Sequence, residues 1–194
     1  MFIKGVKQPE SNFLSIEKDL SIIIDLILNN KRIQKLLYYT TPDALNKPAL
    51  TEEQAVGLMG DNIKIVPKLE IDPNIKNSIF IIFDDFKPNY TNPEFQDNII
   101  YFHIICHYSQ WQLRDFKLRP FQIAAEIETM LKQQKLTNIG KLEFTGANNY
   151  NYSEEFMGIG MSFHAIHGGE DRVGMPNPMD EEEFIKDFNE LYNS

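Results

Sequence analysis

The side chains best suited to chemistry in this sequence are four histidines, one cysteine and a few acids set close to lysines. His103 and His107 lie in an apolar run that alternates as a strand does, so they share one face. Four residues of strand span roughly 13 Å, too far for both rings to hold one ion. His164 and His167 fall on opposite faces of a second strand pattern. A metal site would therefore need His103 or His107 to meet His164 across neighbouring strands and to recruit a carboxylate. The alternative is strand histidines that hydrogen-bond locally, on a pleated surface where a tyrosine would fit as well.

Asp72, Asp85 and Lys87 form the other chemical pattern, an Asp, twelve residues, then Asp-x-Lys. Metal-dependent nucleases of the PD-(D/E)xK type use that spacing, with two carboxylates on Mg²⁺ and a lysine that polarises the attacking water. Here Asp72 precedes Pro73 and Lys87 precedes Pro88, which is equally the chemistry of a turn. Cys106 sits inside the most apolar run and reads as a small buried hydrophobe. Its neighbour His107 points to the other face, so the two make no nucleophile–base dyad. Gly158-Ile159-Gly160 lacks the third glycine of a phosphate-binding loop, and inside a strand pattern such glycines mark a bulge. No serine stands in a Gly-x-Ser-x-Gly elbow. These residues point away from an enzyme, with no metal and no cofactor, and toward a structural or assembly role.

Around these residues the hydrophobic period alternates between helix and strand. Residues 1–14 read as an irregular or edge segment. Ile16, Leu20, Ile23, Ile24, Ile27 and Leu28 repeat on one helical face, and Ile33, Leu36 and Leu37 continue it to Thr41-Pro42, so one helix is expected over 15–38, bent at Asn29-Asn30. Thr51 and Gln54 have capping-box spacing for a short helix at 51–58. Ile63 and Ile65 then alternate as a short strand that Pro67 confines to a sheet edge or ends. The run 78–83 reads as a strand covered on both faces, and 98–108 as its partner, joined by a long loop over 84–98. Arg119-Pro120 opens a helix whose apolar face is Ile123, Ala124, Ile127, Met130 and Leu131. Two more strands, 142–145 and 156–166, flank a polar loop at 146–153. Phe184, Phe188, Leu191 and Tyr192 give the face of a final helix. The expected fold is α+β, in the order α-β-β-β-α-β-β with a C-terminal helix, its sheet mostly antiparallel and its helices on one face. Residues 1–168 form the domain; 169–194 form a Gly- and Pro-containing linker and an acidic amphipathic helix.

The chain of 194 residues carries a net charge of −9, of which −5 falls in residues 180–194. A dedicated nucleic-acid binder would show a basic stripe instead. No apolar run approaches the roughly 18 residues of a membrane helix. The N-terminus has no apolar stretch of the secretory kind. A single cysteine excludes an internal disulfide and any zinc site built on several thiolates. Synthesis in a reducing cytosol is expected.

One combination is more specific than any single motif. A strand Tyr101-Phe102-His103-Ile104-Ile105-Cys106-His107-Tyr108-Ser109 leads through Trp111 to the helix Pro120-Phe121-Gln122-Ile123-Ala124-Ala125-Glu126-Ile127. After a short Lys135-Leu136 link, two strands end at Met161-Ser162-Phe163-His164-Ala165-Ile166-His167-Gly168. Over residues 12–168 this order resembles the tail terminator and tail-completion proteins of tailed bacteriophages, while 40–62 and 169–194 depart from it. The resemblance implies a structural virion protein, found in the host cytoplasm before assembly. It implies a ring, usually a hexamer, on the head-proximal end of the tail tube. Such a ring ends tube polymerisation and joins tail to head. The implied partners are further copies of the chain, the tail tube protein and a neck or head-completion protein, with DNA passing through the lumen without specific binding and no membrane. A neck or head-completion connector is the nearest alternative role, a non-viral small α+β binding module the next, and a Mg-dependent nuclease the last. Ring contacts need exposed aromatic surface; Phe86, Tyr90, Phe95, Tyr150 and Tyr152 in polar segments, with Phe184, Phe188, Leu191 and Tyr192 at the C-terminus, are the candidate contact residues.

Overall fold

The computed structural model of the chain describes residues 12–91, 95–132 and 142–167. The N-terminal apolar stripe forms two helices, α1 (Asn12–Asn29) and α2 (Lys31–Tyr38), where one bent helix over 15–38 was expected. The break has a local cause. Asn30 adopts an extended backbone, and its side chain accepts from the N–H groups of Arg32 and Ile33 at 2.9 and 3.0 Å, capping α2 afresh. Its amide also donates to Glu126 at 3.0 Å, which ties the corner to a later helix. A short 3₁₀ turn, Ala44–Asn46, leads to α3 (Glu52–Val56), which carries the anticipated capping box between Thr51 and Gln54.

Five strands follow: β1 (Ile63–Ile65), β2 (Asn77–Pro88), β3 (Gln96–His107), β4 (Glu143–Asn151) and β5 (Phe156–His167), with α4 (Arg119–Leu131) between β3 and β4. They form one sheet in the order β1-β2-β3-β5-β4. β1 pairs parallel to β2 and every other pair is antiparallel, so the fold is α+β with a mostly antiparallel sheet. β1 lies at an edge and ends at Ile65, before Pro67.

The helices cover one face. Ile100, Phe102, Ile104 and Cys106 of β3 point into a core shared with Ile23, Ile27, Ile33, Leu36, Ile123 and Ile127, all fully buried. On the other face Phe80, Ile105 and Phe156 are buried beneath Val66, Leu69, Ile71 and Tyr152 at one end only. Each fully buried aliphatic or aromatic side chain contributes roughly 1.5–3 kcal/mol.

Three expectations need correction. Residues 84–98 are not a long loop: β2 runs on to Pro88 and β3 begins at Gln96. The acids that looked like loop chemistry form a bulge between Asp84 and Lys87, where Asp85 takes φ 58° and donates its N–H to the Asp84 carboxylate at 2.8 Å. Residues 146–153 are mostly strand as well, because β5 offers a partner along the whole of β4; pairing overrides the weak strand preference of Gly, Ala and Asn. Gly158 and Gly160 mark no bulge, since β3 and β5 pair without interruption from Gln96↔His167 to His107↔Phe156. A Cβ at Gly158 would strike the Ile104 carbonyl, and one at Gly160 would meet the Tyr150 ring at 2.6 Å. These glycines serve close approach, and the irregularity falls instead in β4 between Phe144 and Gly146. The linker and acidic helix expected at 169–194 lie outside the described residues.

Candidate functional site

The β2–β3 hairpin carries the contact residues expected at 84–98. Phe86 packs its ring against Phe13 of α1, with centroids 5.5 Å apart. Tyr90, in the connection, is 100% exposed, and Phe95 is half-buried. Polar bonds hold the connection in shape. The Asn89 N–H donates to the Phe95 carbonyl at 2.8 Å, the Asn89 amide donates to Asp97 at 2.8 Å, and the Thr91 N–H donates to Asn89 at 3.0 Å. His164 Nε2 lies 3.8 Å from the Asp97 carboxylate. Lys87 pairs with Asp85 at 2.6 Å, which raises its pKa through the hydrogen bond and the charge of that carboxylate.

Tyr150 and Tyr152 belong to a second aromatic group on the sheet face away from the helices. Tyr152 places its hydroxyl 2.8 Å from His103 Nδ1. Tyr150 lies over Gly160 and 5.9 Å from the His103 and Tyr152 rings, and Tyr101 stacks on His103 at 6.1 Å. Burial lowers the His103 pKa, keeping the imidazole neutral, and burial raises that of the Tyr152 phenol. The polar groups around this patch are hydroxyls, amides and a neutral ring, so it is suited to packing rather than to proton transfer. Sequence spacing did not foresee the His103–Tyr152 pair, which is made by side chains 49 positions apart.

The chemical candidates do not converge. His103 stands opposite Gly160, His107 opposite Phe156, and His164 opposite Ile99, so no two of these rings face across neighbouring strands. Instead His107 accepts from the Ser109 N–H at 3.2 Å. Asp72 accepts from the Asn74 N–H in the turn before β2, while Asp85 lies eight strand positions past Asn77, roughly 26 Å further along. The nuclease pattern is therefore spread over opposite ends of one strand. Among the described residues, no group of three His, Cys, Asp or Glu side chains is placed to hold a metal ion. Cys106 is fully buried, and burial pushes its thiol up to about 12. Phe184, Phe188, Leu191 and Tyr192 lie outside the described residues.

Two features escaped the sequence reading. Arg119 is fully buried at the start of α4 and donates to the carbonyls of Leu36, Tyr39, Thr41 and Gln110, closing the end of α2. Nothing in its spacing marks it, because three of its four acceptors are backbone groups 78 to 83 positions away. Phe116 is 92% exposed on the tight turn Arg114–Lys117, where Asp115 and Phe116 take φ 60° and 58° without the glycine such turns prefer. Among the described residues no helix is long and apolar enough to cross a membrane.

A protein-family model described as YomW matches residues 30–165, from the cap of α2 into β5. No curated protein matches the chain.

Proposed function

The chain belongs to the YomW family, a phage-associated family, and from that membership we propose that it is a structural virion protein of the phage tail. In this reading it forms a ring at the head-proximal end of the tube, stops tube polymerisation and presents a surface to the neck. The observation that carries the reading is Tyr90, a large aromatic left wholly in solvent on a hairpin whose connection is held by its own hydrogen bonds. An aromatic side chain displayed at the tip of a hairpin is a form of contact residue that a partner buries. The order of helix, hairpin, helix and closing strands, which resembles tail terminator and tail-completion proteins, supports it too. The net charge of −9 suits a lumen through which DNA moves without adhering.

Tails assembled without the protein test this reading. Tubes of unregulated length beside tailless heads are the expected result. Tubes of normal length beside heads that fail to join would assign the protein to the neck instead. Tyr90→Ser should leave the melting temperature unchanged and weaken ring or joint formation in sedimentation. An unaltered assembly would remove the hairpin from the contact.

A further inference from the structure

β4 closes the sheet on one side, yet no described strand or loop pairs with its outer side. It is nine residues long and exposed along almost all of its length. Natural edge strands are blunted by lysine, proline, shortness or a covering loop. β4 has none of these: its only charge is Glu143, and its only irregularity is the bulge between Phe144 and Gly146. The opposite edge is closed at Ile63. Ile63 donates its N–H to the Leu58 carbonyl at 2.8 Å and accepts from the Gly60 N–H at 2.9 Å, so the preceding turn occupies the outer side of β1. The turn therefore hinders a second copy from setting its β1 against β4, and two β4 edges paired about a two-fold axis would give a dimer rather than a ring, so the added strand is sought elsewhere in the chain.

We infer that the β4 edge receives residues 1–11 of a neighbouring copy as a sixth strand; the choice of a neighbouring copy rests on the ring reading above. Two segments flank the described residues. Residues 168–194 hold Pro176, Pro178 and an acidic run, which suit neither a strand nor an acidic neighbour. Residues 1–11 hold Phe2, Ile3 and Val6 among Lys4 and Lys7, with no acid before Glu10 and with Pro9 to end the pairing. Two lysines against one acid give them no repulsion toward an edge whose one charge is Glu143. They also leave the domain in the right place. α1 begins beside Phe86, and Glu143 sits level with that end of the sheet through the register Asp84↔Ile99, Ile99↔His164 and Glu143↔His164. Within one chain three strand spacings, about 14 Å, separate the two points, and eleven extended residues reach about 36 Å, so the arm is long enough for a β4 edge, and the choice of a neighbour's edge over its own rests on the ring reading. An arm laid on the next copy's edge is a head-to-tail contact, the type that closes rings. The backbone supplies the bonds, as in other strand additions.

Cysteine pairing tests this directly, because Cys106 is buried and adds no background. Chains carrying Lys4→Cys are mixed with chains carrying Ala147→Cys and oxidised; both positions are central, so either strand direction brings them together. Disulfide-linked heterodimers are expected, and the double variant should give a ladder up to the ring mass. No linkage, Ala147→Cys joined only to itself, or a disulfide within one chain of the double variant would each overturn the inference. Sedimentation of the unaltered protein separates the two readings. A ring without linkage defeats the arm alone, whereas a monomer at every concentration defeats the ring as well.

Discussion

At the β1 edge the chain folds back on itself: the turn before Ile63 satisfies its N–H and carbonyl, and the residue is buried. At the β4 edge no described residue pairs with the outer backbone of nine mostly exposed residues, which include no lysine, arginine or proline. The first edge belongs to the core. Phe80 lies opposite Lys64 in the register and packs with Val66, Leu69 and Ile71, so the chain around β1 roofs one end of the sheet. Among the described residues the second edge pairs with β5 alone, where Gly160 leaves room for the Tyr150 ring. The difference teaches where this protein is finished and where it is open. A closed edge is protected by local turn geometry, whereas an open one is a template for pairing with another chain.

The comparison breaks most readily on its closed side. Phe80→Ala should cost about 3–5 kcal/mol, as removal of a fully buried aromatic does, and urea denaturation followed by circular dichroism checks it. A loss below about 1 kcal/mol would mean that the roof over β1 is not part of the core.

Gly160→Val sharpens the open side. The new side chain would displace the Tyr150 ring and crowd His103 Nδ1, which a Cβ alone approaches to 3.3 Å. A cost of about 1–3 kcal/mol is expected, and amide exchange should accelerate in β4 while β1 stays protected. Equal acceleration at both edges would erase the distinction.

The next effect is a pH dependence on the open face. Burial lowers the His103 pKa in the folded state, so above about 6.5, the ordinary value, the ring is neutral in both states and contributes no slope. As pH falls below that value the unfolded chain binds the proton first, and stability declines until the folded-state pKa is passed. Stability measured between pH 7.5 and about 5 should fall more steeply in the unaltered protein than in His103→Gln; parallel curves would remove His103 from this balance.

The smallest effect on stability is expected at the open edge itself. Ala147→Lys should change the unfolding free energy by less than about 0.5 kcal/mol, yet it sets a charge on the outer strand and should weaken self-association in sedimentation. A variant that unfolds easily would show that β4 depends on its own side chains more than on being completed.

The elements with strong period were legible from residues alone. The stripe from Ile16 to Leu37, the apolar runs of β2 and β3, the Thr51–Gln54 box and the Pro120 helix start all appear near their expected positions, because their signals lie within a few residues. The Asn30 break was half legible, since a cap and a bend share one residue type. The candidate surface was less legible. Phe86, Tyr90 and Phe95 were read on a loop, and two of the three lie next to or within strand ends.

By itself the sequence determined which residues are apolar, the two periods that make helix or strand of them, and a charge that disfavours phosphate. Only the tertiary structure decided how far each strand runs, which histidine meets which tyrosine, that Arg119 closes α2, and which sheet edge is sealed. The physical reason is range. Periodicity and capping act between neighbours in the chain, whereas strand extension and edge closure depend on a partner backbone that may be any distance away in sequence. Gly160 shows this well: read alone it is a weakness in a strand, and only the ring of Tyr150 lying over it makes it a fitted floor.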